Sequence, residues 1–182
     1  MTSSDPVPPA EPTARRRRVG LLAGVALVAA AADIVSKVLV VAHLTPGDSP
    51  RFLGGLVYFS LIRNPGAAFG IASGMTFVFA IIAAVAIVAI ARMASRLRSV
   101  AWAVGLGLLL GGTTGNLGDR LFRAPGFLRG HVVDFVSVFG PDARYFPAFN
   151  LADAAITVGV AILVVATLFG VDLDGHRHRK RD

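Results

Sequence analysis

Apolar residues recur in four long blocks, at 19–41, 75–91, 100–118 and 154–171, without the charged faces that helices of a soluble domain carry. Each block is about 17–23 residues long, the length a helix needs to cross ~30 Å of hydrocarbon at ~1.5 Å per residue. Backbone N–H and C=O groups in lipid must be paired within the segment, so the blocks predict helices rather than open strands. The expected class is an all-α membrane protein built as a bundle of four transmembrane helices.

The two long connections, 42–74 and 119–153, follow a different pattern. Turn signals at Thr45-Pro46-Gly47-Asp48 lead into Leu56-Val57-Tyr58-Phe59-Ser60-Leu61-Ile62, which reads as a short strand, and then into the turn Asn64-Pro65-Gly66. The second connection opens with a loop over 120–130 around Pro125-Gly126. A strand pattern over 131–138 follows, and then a turn at Pro141-Asp142. A small β element and a loop lying on the bundle are therefore expected. Residues 1–18 read as a disordered basic tail, 19–171 as one four-span domain and 172–182 as a second basic tail. The arginines at 15–18 ahead of 21–32 imitate a cleavable signal peptide, with small residues at 29–32. The apolar stretch nevertheless resumes and reaches spanning length.

Charge changes this picture only by orienting it. The formal net charge of +7 could suggest a nucleic-acid partner, but the positive residues abut the apolar blocks. Arginines 15–18, then Arg92, Arg96 and Arg98, and finally Arg177, Arg179, Lys180 and Arg181 mark one side of the membrane. The positive-inside rule makes that side cytoplasmic, so both termini are expected there and both long connections outside. No nucleic-acid partner is expected. Cysteine is absent, which excludes disulfides, thiol nucleophiles and cysteine metal sites. Four histidines without a His-x-x-x-His spacing argue against catalytic zinc, and no metal is assigned.

Charged groups inside or at the edge of a span are costly and therefore candidates for function. Here they are Asp33, Lys37, Asp119, Arg120, Asp134 and Asp153. Each has a plainer reading. Asp33 and Lys37 lie one helical turn apart and suit an ion pair whose lysine snorkels outward. Asn150 suits a helix N-cap, with Asp153 near the positive end of the helix dipole. Gly107, Gly111 and Gly115 follow the small-xxx-small spacing of close helix packing, and no Gly-Lys-Ser/Thr makes them a phosphate loop. His131 reads as a surface residue and Asp142 as a turn residue.

Taken together the pieces point further. Asp33-Ile34-Val35-Ser36-Lys37, Asn64-Pro65-Gly66-Ala67-Ala68-Phe69 and Gly115-Asn116-Leu117-Gly118-Asp119-Arg120 occur in that order. Val133-Asp134-Phe135 and Phe146-Pro147-Ala148-Phe149-Asn150-Leu151-Ala152-Asp153 follow them. This ordered set closely resembles lipoprotein signal peptidase, or signal peptidase II, over residues 19–171. The resemblance implies a membrane-embedded aspartyl endopeptidase with Asp134 and Asp153 as its catalytic pair. It also implies that Asn64, Asn116, Arg120 and Asn150 bind substrate or support the pair, and that Asp33 and Lys37 form a structural polar motif. The implied fold is four helices with a small extracytoplasmic β-cradle and loop.

The implied substrates are diacylglyceryl-modified prolipoproteins cut just before the lipidated cysteine, with membrane lipids as the other partners. No cofactor, a monomer and a bacterial cytoplasmic (inner) membrane location complete the expectation. Two departures stand out. The stretch 123–128 lengthens the loop before Asp134, and Ala154 stands where many members carry a small hydroxyl residue. Against this reading stand a proton-coupled transporter, in which Asp33 and Lys37 would dominate, and a non-enzymatic scaffold using the spaced glycines.

Overall fold

The computed structural model describes residues 17–66 and 75–176. Four helices cross the bundle: α1 (Val19–His43), α2 (Thr76–Met93), α3 (Val100–Phe122) and α4 (Leu151–Leu168). All four are long and apolar enough to span a membrane. Large apolar side chains such as Leu27, Val35, Ile81, Val85 and Val164 point outward and stay exposed, as a lipid-facing surface requires. Ala67-Ala68-Phe69, Arg15, Arg16 and the basic cluster beyond residue 176 lie outside the described residues.

α3 is the hub, packing against α1, α2 and α4. Its glycines make that possible. A Cβ on Gly111 would meet the Ala26 carbonyl oxygen of α1 at 2.5 Å, and one on Gly112 would meet the Ala152 carbonyl oxygen of α4 at 2.5 Å. Two neighbouring glycines thus admit two different helices at backbone contact. Packing is the role expected for the spaced glycines, although Gly115 makes room for the carboxylate of Asp33 rather than for a backbone.

At the end of the bundle bearing the termini, Leu22, Ile90, Leu97, Ala103 and Leu106 form an apolar core. The chain is tied there by backbone bonds from Arg98 and Ser99 to the Leu173 carbonyl, and by the Trp102 indole on the Val171 carbonyl at 2.7 Å. The opposite end carries an antiparallel sheet in the order β1 (Arg51–Phe52), β2 (Val57–Asn64), β3 (Val132–Val138). Its register pairs Tyr58 with Ser137, Ile62 with Asp134 and Asn64 with Val132, with an irregularity between Phe59 and Ile62. Leu61, Val133 and Phe135 pack on Val40, Val41 and Leu44 at the end of α1, which seats the sheet on the bundle.

Both expected strands form, shifted by one or two residues. The larger difference is that α3 runs on through Phe122, so Asp119 and Arg120 occupy its last turn rather than a loop. Hydropathy ends the block at residue 118 because those two residues are charged. Helical hydrogen bonding continues because their side chains find partners.

Candidate active site

α4 begins where the chemistry gathers. Asn150 is its N-cap: the side-chain oxygen accepts from the Asp153 amide at 2.9 Å, and Asp153 Oδ2 accepts from the Asn150 amide at 3.1 Å. This reciprocal capping box fixes the rotamers of both residues. It also leaves Asp153 Oδ1 directed at α3, where it accepts from Asn116 Nδ2 at 2.8 Å. The capping role expected for Asn150 is present, and the part Asp153 takes in it does not compete with a chemical one. One oxygen caps the helix and the other takes part in the site.

Asp134 comes from β3. Alternation along the strand sends Val133 and Phe135 to the apolar cluster and Asp134 to the other face. Its Oδ1 accepts from Asn150 Nδ2 at 2.7 Å and its Oδ2 from Asn64 Nδ2 at 2.9 Å. Asn64 reaches it from the last residue of β2. Asp134 is nearly buried, and that burial pushes its carboxyl up to about 6, against the hydrogen bonds from Asn64 and Asn150 and with help from the Asp153 charge. Asp134 and Asp153 line one cavity of about 710 Å³, together with Asn64, Asn116 and Arg120. Two carboxyls and a set of amide donors around one partly enclosed space are suited to acid–base chemistry on a bound carbonyl.

Asn116 and Asn150 are oriented by their surroundings. Asn116 Oδ1 accepts from Lys37 Nζ at 2.9 Å and from Asn150 Nδ2 at 3.2 Å, so its NH2 group must face Asp153. Arg120 donates to the Asn116 carbonyl at 3.1 Å and the Gly66 carbonyl at 3.3 Å, and lies 5.5 Å from the ring centre of Phe79 on α2. The guanidinium therefore joins α2, α3 and the end of β2 at the cavity wall.

Behind this layer sits a buried ionic cluster. Lys37 Nζ lies 2.7 Å from Asp33 Oδ2 and 2.9 Å from Asp119 Oδ2, with Asn116 as its third partner. Three acceptors lie within 2.9 Å of the ammonium, with Asp33 Oδ2 held among them by charge rather than by an aligned hydrogen bond. Asp33 and Lys37 are 0% and 1% exposed, so the expected outward snorkel is corrected: the lysine points into the protein because Asp119 and Asn116 of α3 wait there. Asp33 Oδ1 accepts from the Ala152 amide at 2.9 Å, capping the start of α4 from across the bundle. Asp119 also binds Arg123 and accepts from the Val133 amide at 3.2 Å, which joins α3 to β3.

The structure brings Asn64, Asn116, Arg120, Asp134, Asn150 and Asp153 together around one cavity or directly against its lining, with Asp33 and Lys37 one layer behind. His131 precedes β3 and lines a separate groove with Pro65 and Phe127. Sequence reasoning counted Asp119 among the costly charges but gave it no partner, although its position one turn before Arg123 offered a sign. It also missed the wall from Phe146 to Phe149, together with Thr157 and Val158. Thr157 lies one helical turn beyond Asp153, and that spacing alone could have flagged it.

Residues 25–169 match the family model described as Signal peptidase (SPase) II. The chain is 47% identical to a lipoprotein signal peptidase of Rhodococcus jostii, over 93% of this chain and 82% of that one. It is 50% identical to a lipoprotein signal peptidase of Mycobacterium avium, over 91% and 88% of the two chains. A solved bacterial membrane enzyme superposes with a TM-score of 0.76 at 28% identity, covering 93% of this chain and all of that one. These likenesses do not support the transporter reading, and the scaffold reading loses its motive with it.

Proposed function

The chain belongs to the signal peptidase II family, and from that premise we propose that Asp134 and Asp153 form an aspartyl dyad that hydrolyses a peptide bond. The activity is removal of signal peptides from lipoprotein precursors. The observation that carries the dyad is the pair of carboxyls on one cavity, each with amide donors on its oxygens.

In the proposed step the ionised carboxyl takes a proton from water, whose oxygen attacks the scissile carbonyl carbon. The protonated carboxyl donates to the carbonyl oxygen. Collapse of the tetrahedral species then breaks the C–N bond and passes a proton to the departing amine. The charge of Asp153 helps to hold the proton on Asp134, which keeps one proton available to the pair. The buried Asp134 holds its proton to higher pH than an ordinary aspartate and so suits the donor in the free enzyme.

The substrate is a precursor carrying diacylglycerol on cysteine, cut on the N-terminal side of that residue. The apolar wall at Phe146, Pro147 and Phe149 supports this reading, since signal segment and acyl chains are both membrane-soluble. The protein acts as a monomer in the bacterial cytoplasmic membrane, with both termini cytoplasmic and the dyad near the outer leaflet. The positive clusters at the ends of the spans support that orientation.

The test is cleavage of a purified diacylglyceryl precursor by wild type, Asp134→Asn and Asp153→Asn. Cleavage before the lipidated cysteine, lost in both folded variants, is expected. Full activity in either variant overturns the dyad, and an inactive, folded wild type overturns the substrate.

A further inference from the structure

Residues 139–149, between β3 and α4, end in the wall of the catalytic cavity. At one end they are clamped to β3: Phe149 exchanges backbone bonds with Val136 at 2.8 and 3.0 Å, and its carbonyl also accepts from the Phe135 amide. Toward the other end, Asp142 and Ala143 both adopt left-handed backbone, with φ of 52° and 59°. Two consecutive non-glycine residues hold that conformation only where surrounding contacts impose it. Their two amides go to serines on adjacent strands. The Asp142 amide donates to Ser60 Oγ at 3.0 Å and the Ala143 amide to Ser137 Oγ at 2.9 Å. Both serines are fully buried.

Proton counting fixes the direction of the remaining bonds. Ser49 Oγ lies 2.8 Å from Ser60 Oγ and 3.1 Å from Asp142 Oδ1. A carboxylate only accepts, so the single Ser49 proton goes to Asp142, and Ser60 must donate to Ser49. The three bonds run in one sense around a closed ring: Ser60 to Ser49, Ser49 to Asp142, and the Asp142 amide back to Ser60. Bonds arranged head to tail polarise one another and strengthen together. The ring joins the stretch before β1, strand β2 and the segment leading to the cavity wall. Between the ring and the Phe149 clamp, Tyr145 and Phe146 are exposed, at 64% and 47%, with no hydrogen bond to the sheet among those described.

We propose that Ser49, Ser60 and Asp142 are positioning residues whose closed hydrogen-bond ring sets the place of the wall at residues 146–148 and thereby the fit of the apolar part of the substrate. The inference rests on the peptidase reading of the same cavity. The ring touches neither Asp134 nor Asp153, so it governs binding rather than proton transfer.

The test compares wild type, Ser49→Ala, Ser49→Thr and Asp142→Asn as full-length protein, using the diacylglyceryl precursor and amide hydrogen exchange. Ser49→Ala removes two of the three bonds at a half-buried position. It is expected to raise KM about three- to tenfold, with kcat within about twofold and the pH profile unmoved. Faster exchange at the Asp142 and Ala143 amides should accompany it. Ser49→Thr restores the hydroxyl and is expected to restore KM. Asp142→Asn keeps the accepting oxygen and should behave as wild type, so a large loss there would show that charge matters and would overturn the ring. An unchanged KM in Ser49→Ala, or a fall in kcat alone, also overturns it. If wild type cleaves no precursor, the peptidase reading fails by itself. In that event unchanged exchange at residues 142 and 143 in Ser49→Ala refutes the ring, and faster exchange upholds its hold on the wall.

Discussion

The two ends of the bundle are built from the same helices by different physics. Toward the termini, α1, α3 and α4 meet through glycine, alanine and leucine, with Gly107 against the Leu22 carbonyl of α1 and Gly105 against Gly159 and Leu163 of α4. Toward the sheet, the same helices meet through Asp33, Lys37, Asn116 and Asp119, and each contact has a direction. Close packing in lipid tolerates many apolar substitutions of equal volume. A buried ionic cluster tolerates almost none, because removing one member leaves a charge without its partner. The comparison teaches that the bundle end fixes helix spacing, whereas the site end fixes rotation and depth, which are the coordinates the proposed dyad needs.

The largest expected effect is at the site end. Asp134→Asn and Asp153→Asn should each lower kcat at least about a thousandfold while leaving the thermal transition near wild type, measured by precursor cleavage and by differential scanning fluorimetry. Lys37→Met comes next. It strands Asp33 and Asp119 in a buried site and is expected to destabilise the fold by about 3–5 kcal/mol, measured by denaturation in detergent. If Lys37→Met were as stable as wild type, the contrast between the two ends would fail.

At the packing end, Gly107→Leu should cost about 1–3 kcal/mol by forcing α1 from α3, yet the folded fraction should keep its kcat. Loss of kcat in the folded fraction would mean that helix spacing and dyad geometry are not separable.

The smallest effect is a shift in pH dependence. A buried carboxyl raised to about 6 is protonated below that pH and loses its proton above it, so kcat/KM of a proton-donating Asp134 should fall on the alkaline side. Asn64 donates to the ionised form and lowers the value, so Asn64→Ala should move this limb to higher pH. The same linkage acts on stability. The contribution of Asp134 is fully present below its ordinary 3.8 and is lost as pH rises through about 6.

Much of this molecule is legible along the chain. Spanning helices announce themselves because lipid removes every alternative for the backbone, and the four blocks needed no tertiary information. The ordered polar motifs contain every residue that the proposed function places in the dyad and its support. Other parts were not legible. The end of α3 is one, since Asp119 and Arg120 look like a loop until their partners on α1, on β3 and in the turn after β2 are known. Lys37 suits a snorkelling lysine when α1 is considered alone, because that helix offers its ammonium a single partner, Asp33. The ring through Ser49, Ser60 and Asp142 joins positions that are ordinary turn and strand residues in sequence.

The sequence by itself determined the number of spans, the ends at which charge gathers and the residue types available for chemistry, because hydropathy and composition act locally. Tertiary structure decided which carboxylate meets which amide, that Asp153 caps α4 with one oxygen while offering the other to Asn116, and that Asp33 closes the start of a helix 119 positions away. Hydrogen bonds act over about 3 Å, and only the packed bundle brings such distant residues within that reach.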